Sequence, residues 1–436
     1  MSQADPVADL RVCVLGLGYI GLPTAAVLAT SGCRVVGVDT NPAVIRILSE
    51  GSLHIEEPDL HVLVDDARDS GRLELATRPE EADVFILCVQ TPLTKERQAD
   101  LSYLESATRS IVPYLRAGNL VVLESTVPPL TTANVIVPIL EESGLPVDRE
   151  GSSEVGELFV VHCPERVIPG HVIREIVSNA RVLGGLSRKA AEQAQELYSI
   201  FVEGDLLITD ATCAEVVKLA ENTHRDVNIA LANEMARICE AVNVDVWEVL
   251  RLANRHPRVS FLSPGPGVGG HCISIDPWFL VQAAGDVARL IRTARNINDD
   301  QPEVVLSVIR EMTSGVTNPK VALLGLAYKG NVDDTRESPA LRLISRLRAD
   351  GFELALVDPH VAQFDPEVVT PASAFEEADL AVVLAAHNEF RTLDPHGLGA
   401  KMRHRGLLDT RNCLPVDLWE SAGFTVRRLG DGSHRG

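Results

Sequence analysis

The stretch "RVCVLGLGYIGLPTAAVLATSGCRVVGVD", from Arg11 to Asp39, constrains the fold more than any other part of the chain. It opens with an unbroken apolar run, Val12 to Leu15. A strand buried on both faces, as in a parallel sheet, reads this way. Three glycines follow, Gly16, Gly18 and Gly21, in the pattern GxGxxG. "LPTAAVLATSG" then supplies a helix and its glycine stop, and "RVVGVD" a second strand that ends at Asp39. Parallel strands need a long crossover, usually a helix, so the chain begins as a βαβ unit.

The pattern returns near the other end. "KVALLGLAYKG" parallels "RVCVLGLGYIG", "LALVDPH" parallels "VVGVDTN", and "EEADLAVVLAA" parallels "EEADVFILCVQTP". The chain therefore reads as two doubly wound α/β units. The second turn, Gly325 to Gly330, has Ala327 where the first has its middle glycine. It is expected to bind a different phosphate ligand, faced by Lys329, or to be a purely structural copy.

A lone GxGxxG says little. With a strand before it, a helix after it and an acid 18 residues past Gly21, it points to a dinucleotide. The pyrophosphate would sit on the helix N-terminus and Asp39 on the adenine ribose. A carboxylate there repels a 2′-phosphate, so NAD is expected rather than NADP.

Between the halves, "CAEVVKLAENTHRDVNIALANEMARICEAVNV" from Cys213 has few breakers and reads as one long helix. At about 100° per residue, Lys218, Asn222 and Arg225 share an arc of about 60°. The stripe is either a solvated face or one with a polar target. Lysine is scarce, with six among 40 basic residues, so a lysine on such a stripe suggests a need for a compact amine.

Composition narrows the classes. The net charge of −21 argues against nucleic acid or an anionic membrane as partner, though not against a small anion. No apolar run approaches the ~20 residues of a membrane span. "MSQADPVADL" lacks the basic and apolar regions of a signal peptide. The eight cysteines show no CxxC pair and no Cys/His metal spacing, so no metal is expected. A reduced, cytoplasmic setting is expected. One cysteine is unusual: "PGPGVGGHCISIDPWFL" sets Cys272 among glycines and prolines, four residues before Asp276. From these residues alone, Cys272 is either a nucleophile or a small buried hydrophobe.

Four long motifs in order, "CPERVIPG" from Cys163, "ENTHRDVNIALANE" from Glu221, "NRHPRVSFLSPGPGVGGHCISIDPWF" from Asn254 and "GLAYKGNVDDTRESPA" from Gly325, resemble the UDP-glucose/GDP-mannose dehydrogenase superfamily. The resemblance runs from Arg11 to about Leu429, and within the family it is closest to the UDP-N-acetyl-D-mannosamine dehydrogenase branch. It implies two Rossmann-like doubly wound domains joined by a long central helix that dimerises. The implied division is residues 1–208 for NAD, 209–316 for dimerisation and catalysis, and 317–436 for the UDP-sugar. The implied reaction is oxidation of a C6 alcohol to a carboxylate with two NAD.

The resemblance also implies roles. Cys272 is the nucleophile, Lys218 and Asn222 hold the developing oxyanion, and Asp276 holds the water and the lysine. Thr126, in "ESTVPP", lies near the nicotinamide, and Glu165, in "CPERV", does base work. Arg166, Val167, Arg225, His256, Arg258, Gly269, Tyr328 and Lys329 reach the substrate. Tyr19, Ile20, Thr91 and Arg336 join the glycine turn and Asp39 at NAD. The glucose branch carries a second glutamate in a motif like PEFLxEG. Pro169 stands in that place here, which implies a substrate other than UDP-glucose. UDP-N-acetylglucosamine is the nearest alternative substrate. A non-catalytic nucleotide-sugar binder and a two-electron hydroxyacid dehydrogenase are the rivals from other classes.

Overall fold

The computed structural model describes residues 10–151, 156–168, 170–362, 364–365 and 367–433. The chain's opening nine residues and Pro169, both used above, lie outside the described residues. The chain packs as two compact units: residues up to Glu221 with Gln282–Gly285, and Asn222–Val281 with the chain from Asp286 onward.

The first unit holds an eight-stranded sheet. In chain order its strands are β1 (Arg11–Leu15), β2 (Arg34–Val38), β3 (Leu73–Ala76), β4 (Val84–Leu87), β5 (Leu120–Leu123), β6 (Phe159–His162), β7 (Arg181–Gly185) and β8 (Leu206–Asp210). Their spatial order is β3-β2-β1-β4-β5-β6-β7-β8, parallel except where β6 meets β7. The order reverses between β1 and β4, which opens a crevice at the strands' carboxyl ends. Both faces of the sheet are covered. Helix Gly21–Thr30, whose first nine residues are all buried, packs with Leu17, Val35 and Ile86 on one side. Phe85, Leu104, Val121 and Leu140 fill the other. Unbroken apolar strands are what this double coverage requires.

The second unit repeats the plan with five parallel strands: β9 (Lys320–Leu324), β10 (Glu353–Val357), β11 (Leu380–Val383), β12 (Gly406–Asp409) and β13 (Thr425–Arg428). They are ordered β10-β9-β11-β12-β13. The echo holds at atomic level: the Gly16 N–H donates to the Val38 carbonyl and the Gly325 N–H to the Val357 carbonyl, both at 2.8 Å.

The long helix runs Ala211–Ala241, 31 residues, or about 46 Å. It starts two residues before the expected Cys213 because Asp210 Oδ1 accepts the Cys213 N–H at 2.8 Å, an N-cap. It stops where Asn243 turns left-handed, at φ 58°, and the Val244 N–H returns to the Cys239 carbonyl at 2.9 Å. Among the described residues no helix is long and apolar enough to cross a membrane.

Candidate active site

The first glycine turn holds two glycines that packing requires and one that it does not. At Gly16, φ is +90°, and an added Cβ would stand 2.7 Å from the Cys88 carbonyl oxygen. At Gly21 it would stand 1.8 Å from the Gly16 oxygen. Both must be glycine for packing alone. At Gly18 a Cβ would meet nothing within 4 Å. Packing does not explain that glycine, whereas close approach of a pyrophosphate does. Asp39 Oδ2 accepts the Leu17 N–H at 3.1 Å and Oδ1 the Asn41 N–H at 2.8 Å. Half-buried, the carboxylate keeps lone pairs for ribose hydroxyls. Tyr19 and Ile20 lie half-buried in the same turn. These residues fit NAD.

The second turn keeps the packing glycines and changes the rest. A Cβ at Gly325 would lie 2.5 Å from Ala385 Cβ, and at Gly330 2.3 Å from the Ala386 oxygen. Asp358, the counterpart of Asp39, is saturated. Its Oδ2 accepts the Leu326 and Ala327 N–H groups at 2.7 and 3.1 Å, and its Oδ1 those of His360 and Val361 at 2.9 and 3.2 Å. The carboxyl sits at about 2: burial alone would raise it, but His387 and these backbone donors outweigh burial. His387 Nδ1 accepts the Asn331 N–H at 2.9 Å, so Nε2 carries the proton and donates to Asp358 at 3.1 Å. Asp358 and His387 thus clamp the turn that carries Tyr328 and Lys329. His360, His387 and Glu389 also come together here, their ligand atoms within 4.8 Å, with both His387 ring nitrogens engaged, Nδ1 by the Asn331 N–H and Nε2 by Asp358.

In the second unit the Cys272 loop is tied to Asp276 and, through it, to Asn222. Cys272 is exposed. Its carbonyl accepts the Asp276 N–H at 2.8 Å, and Asp276 Oδ2 accepts Asn222 Nδ2 at 2.6 Å. Asp276 itself is buried. The loop packs closely on the second turn: a Cβ at Gly269 would lie 2.8 Å from Tyr328 Cβ, and the Gly270 N–H donates to the Arg336 carbonyl at 3.0 Å. Lys329 is exposed, and the Arg336 guanidinium is held by Asp334 at 2.8 and 2.7 Å. His256, Arg258 and Arg225 are exposed, and His256 Nδ1 accepts the Arg258 N–H at 3.4 Å.

In the first unit Thr91 Oγ1 donates to the Thr126 carbonyl at 2.6 Å. Thr126 begins a loop that passes through Leu130, a non-glycine at φ 71°. That conformation costs about 1–2 kcal/mol. Buried Glu215 holds the loop there, accepting the Leu130 and Thr132 N–H groups and the Thr132 hydroxyl at 2.6, 2.7 and 2.7 Å. Glu215 lies one turn before half-buried Lys218 on the long helix. Arg166 reaches the same helix, donating to Glu221 at 3.1 Å and to the Ala180 carbonyl at 3.1 Å; Val167 beside it is half-buried. Glu165 is buried, its Oε2 3.0 Å from Arg181. Arg181 in turn faces buried Glu124 at 3.5 Å. Removing one member of such a buried group costs about 3–5 kcal/mol. Sequence reasoning named Glu165 but not Glu124, Arg181, Glu215 or His387, the buried polar groups packed around these loops. A charged residue closing the apolar run "VVLE" was the one available signal, for Glu124.

Three family models match consecutive parts of the chain: the NAD binding domain of the UDP-glucose/GDP-mannose dehydrogenase family over residues 10–202, its central domain over 212–300 and its UDP binding domain over 322–416. The chain belongs to that family. It is an NAD-dependent UDP-sugar dehydrogenase. The enzyme is 47% identical over 430 residues to a UDP-N-acetyl-D-mannosamine dehydrogenase of Methanocaldococcus jannaschii, covering 97% of each chain. It is 45% identical over 417 residues to an NDP-N-acetyl-D-galactosaminuronic acid dehydrogenase of Ralstonia nicotianae, covering 94% of this chain and 98% of that one. A solved UDP-D-ManNAc dehydrogenase from Pyrococcus horikoshii superposes with a TM-score of 0.88 at 41% identity, covering 98% of this chain and 100% of that one.

Proposed function

We propose that the enzyme oxidises the C6 alcohol of UDP-N-acetyl-D-mannosamine to the carboxylate through a covalent intermediate on Cys272. The observation that carries this reading is the exposed cysteine whose loop is fixed, through Asp276, to Asn222. A merely structural cysteine needs neither exposure nor such a tether. The identity to the Methanocaldococcus jannaschii enzyme supports the sugar.

NAD, when bound, takes up the hydride of each oxidation; Gly16, Gly18, Tyr19, Ile20, Gly21, Asp39, Thr91, Thr126 and Arg336 are its proposed contacts. The rest falls to the chain. Cys272 sulfur bonds to the aldehyde carbon, the aldehyde oxygen takes the thiol proton and becomes the hydroxyl of a thiohemiacetal, and the hydroxyl proton that each oxidation releases passes to water. That carbon again carries a hydrogen that can leave. Lys218 and Asn222 donate to the oxygen while it carries negative charge. The resulting thioester is cleaved by water: a C–O bond forms, the C–S bond breaks and the thiol returns. Glu165 takes the water's proton, with Asp276 and Thr126 orienting it. Arg166, Val167, Arg225, His256, Arg258, Gly269, Tyr328 and Lys329 are the proposed substrate contacts, and a homodimer the proposed assembly.

The test is a panel of UDP-sugars read by NADH formation. UDP-N-acetyl-D-mannosamine is expected to give the highest kcat/KM. A higher value for UDP-N-acetylglucosamine, UDP-N-acetylgalactosamine or UDP-glucose would reassign the substrate.

A further inference from the structure

The buried cluster behind Glu165 carries one more inference, which rests on the assignment of Glu165 as the base. Glu165 Oε1 accepts the Arg166 N–H at 2.6 Å. Oε2 is buried and accepts no aligned hydrogen bond, although Arg181 lies 3.0 Å away. One guanidinium is therefore the counter-charge of this oxygen. That guanidinium is itself held from several sides. It stands 3.5 Å from Glu124 Oε1, donates to the Ile176 carbonyl at 3.5 Å, and lies 4.9 Å over the Tyr198 ring and 5.7 Å from that of Phe201. Glu124 is saturated on its far side: Oε1 accepts the Tyr198 hydroxyl at 2.6 Å, and Oε2 the Cys88 thiol and Thr24 hydroxyl at 3.1 and 3.3 Å.

The titratable groups around Glu165 come from five elements. They are Arg181 on β7, Glu124 after β5, Cys88 after β4, Cys163 after β6 and Tyr198 on helix Arg188–Tyr198; Arg166, next in the chain, pairs with Glu221. Burial pushes the Cys163 thiol up to about 12 and the Cys88 thiol and Tyr198 phenol well up, so all three stay neutral. Burial alone would lower Arg181, but Glu165 and Glu124 outweigh it and keep the guanidinium charged. Burial also pushes Glu124 up, against the pull of Arg181.

We propose that Arg181, braced by Glu124 and Tyr198, is a positioning residue of the reaction: it fixes the Glu165 carboxylate and supplies its counter-charge. Neither Arg181 nor Glu124 touches the reacting atoms in this account. Their effect is on where the rate falls as pH is lowered.

The experiment is the pH profile of kcat/KM for the unmodified enzyme and for Arg181→Gln, Arg181→Lys, Glu124→Gln and the Arg181→Gln/Glu124→Gln double variant. Loss of the positive neighbour should raise the acid limb by about 1–3 pH units. Glu124→Gln, which removes a like charge and is isosteric, should lower it. The double variant should return toward the original limb, and Arg181→Lys should stay near it. A structural role alone would change the height of the profile and leave the limb in place. An unmoved limb in Glu124→Gln overturns the proposal even if Arg181→Gln does not fold, and so does a limb that persists in Glu165→Gln. If the unmodified enzyme oxidises no UDP-sugar, the functional reading fails instead; with normal oxidation and an unmoved limb, this inference alone fails.

Discussion

Cys272 separates chemistry from packing most sharply at the level of single residues. Serine keeps the size and loses the thiolate. Cys272→Ser should fold and bind NAD, while turnover falls on the order of 10³-fold or more. Any serine adduct would be an ester, slower to hydrolyse than a thioester, so intact-protein mass should rise by one sugar nucleotide. Near-normal turnover would contradict the role of Cys272. Residues of this kind were legible in the sequence because their signal is local: the glycine turn, Asp39 and the Cys272 loop each occupy one short stretch. Glu165 was named through the resemblance, on the short motif "CPERV". Its partner Arg181 was not, since it lies 16 residues on, at the head of the strand "RVLGG", and Glu124 is 57 residues from Arg181. Only the sheet brings them together.

At the level of elements, strands and helices followed the apolar pattern, and the long helix differed from expectation only at its ends, the Asp210 cap and the left-handed turn at Asn243. What the pattern hid is polar cargo inside strands. His162, the last residue of β6, is fully buried, and neither ring nitrogen has a partner. A run "FVVH" reads as apolar with a polar end, not as a buried imidazole. Burial pushes its pKa down to about 3 from an ordinary 6.5. The sign follows: the folded state disfavours the charged ring, the unfolded chain binds the proton first, and stability falls as pH drops from about 6.5 toward 3. His162→Leu removes both unpartnered nitrogens at similar volume. Its melting temperature should fall less between pH 7.5 and pH 5 than that of the unmodified enzyme. An equal or larger fall would show that His162 is not the group responsible.

At the level of the whole molecule, the repeat of two α/β units was legible because "GLGYIG" and "GLAYKG" recur with their strands. A different ligand for the second unit was legible from Ala327 in its turn, but the fate of its acid was not: Asp39 and Asp358 look alike in sequence, yet Asp358 is consumed by four backbone N–H groups and His387. Assembly is a further prediction at this level. The long helix exposes Leu231 and Ile238 at 43% and 49%, and Val242, just past its end, is 60% exposed; the spacing of seven and four continues one stripe. A second copy covering that stripe should make Leu231→Glu/Ile238→Glu sediment at half the mass of the unmodified enzyme, and unchanged mass would exclude this helix as the contact. The central claim, that one enzyme carries a UDP-sugar through both oxidations while Cys272 holds the aldehyde, is tested most directly by stoichiometry. With UDP-N-acetyl-D-mannosamine limiting and an aldehyde trap present, the account predicts two NADH per sugar consumed and no trapped aldehyde, whereas one NADH per sugar, or aldehyde in the trap, would contradict it.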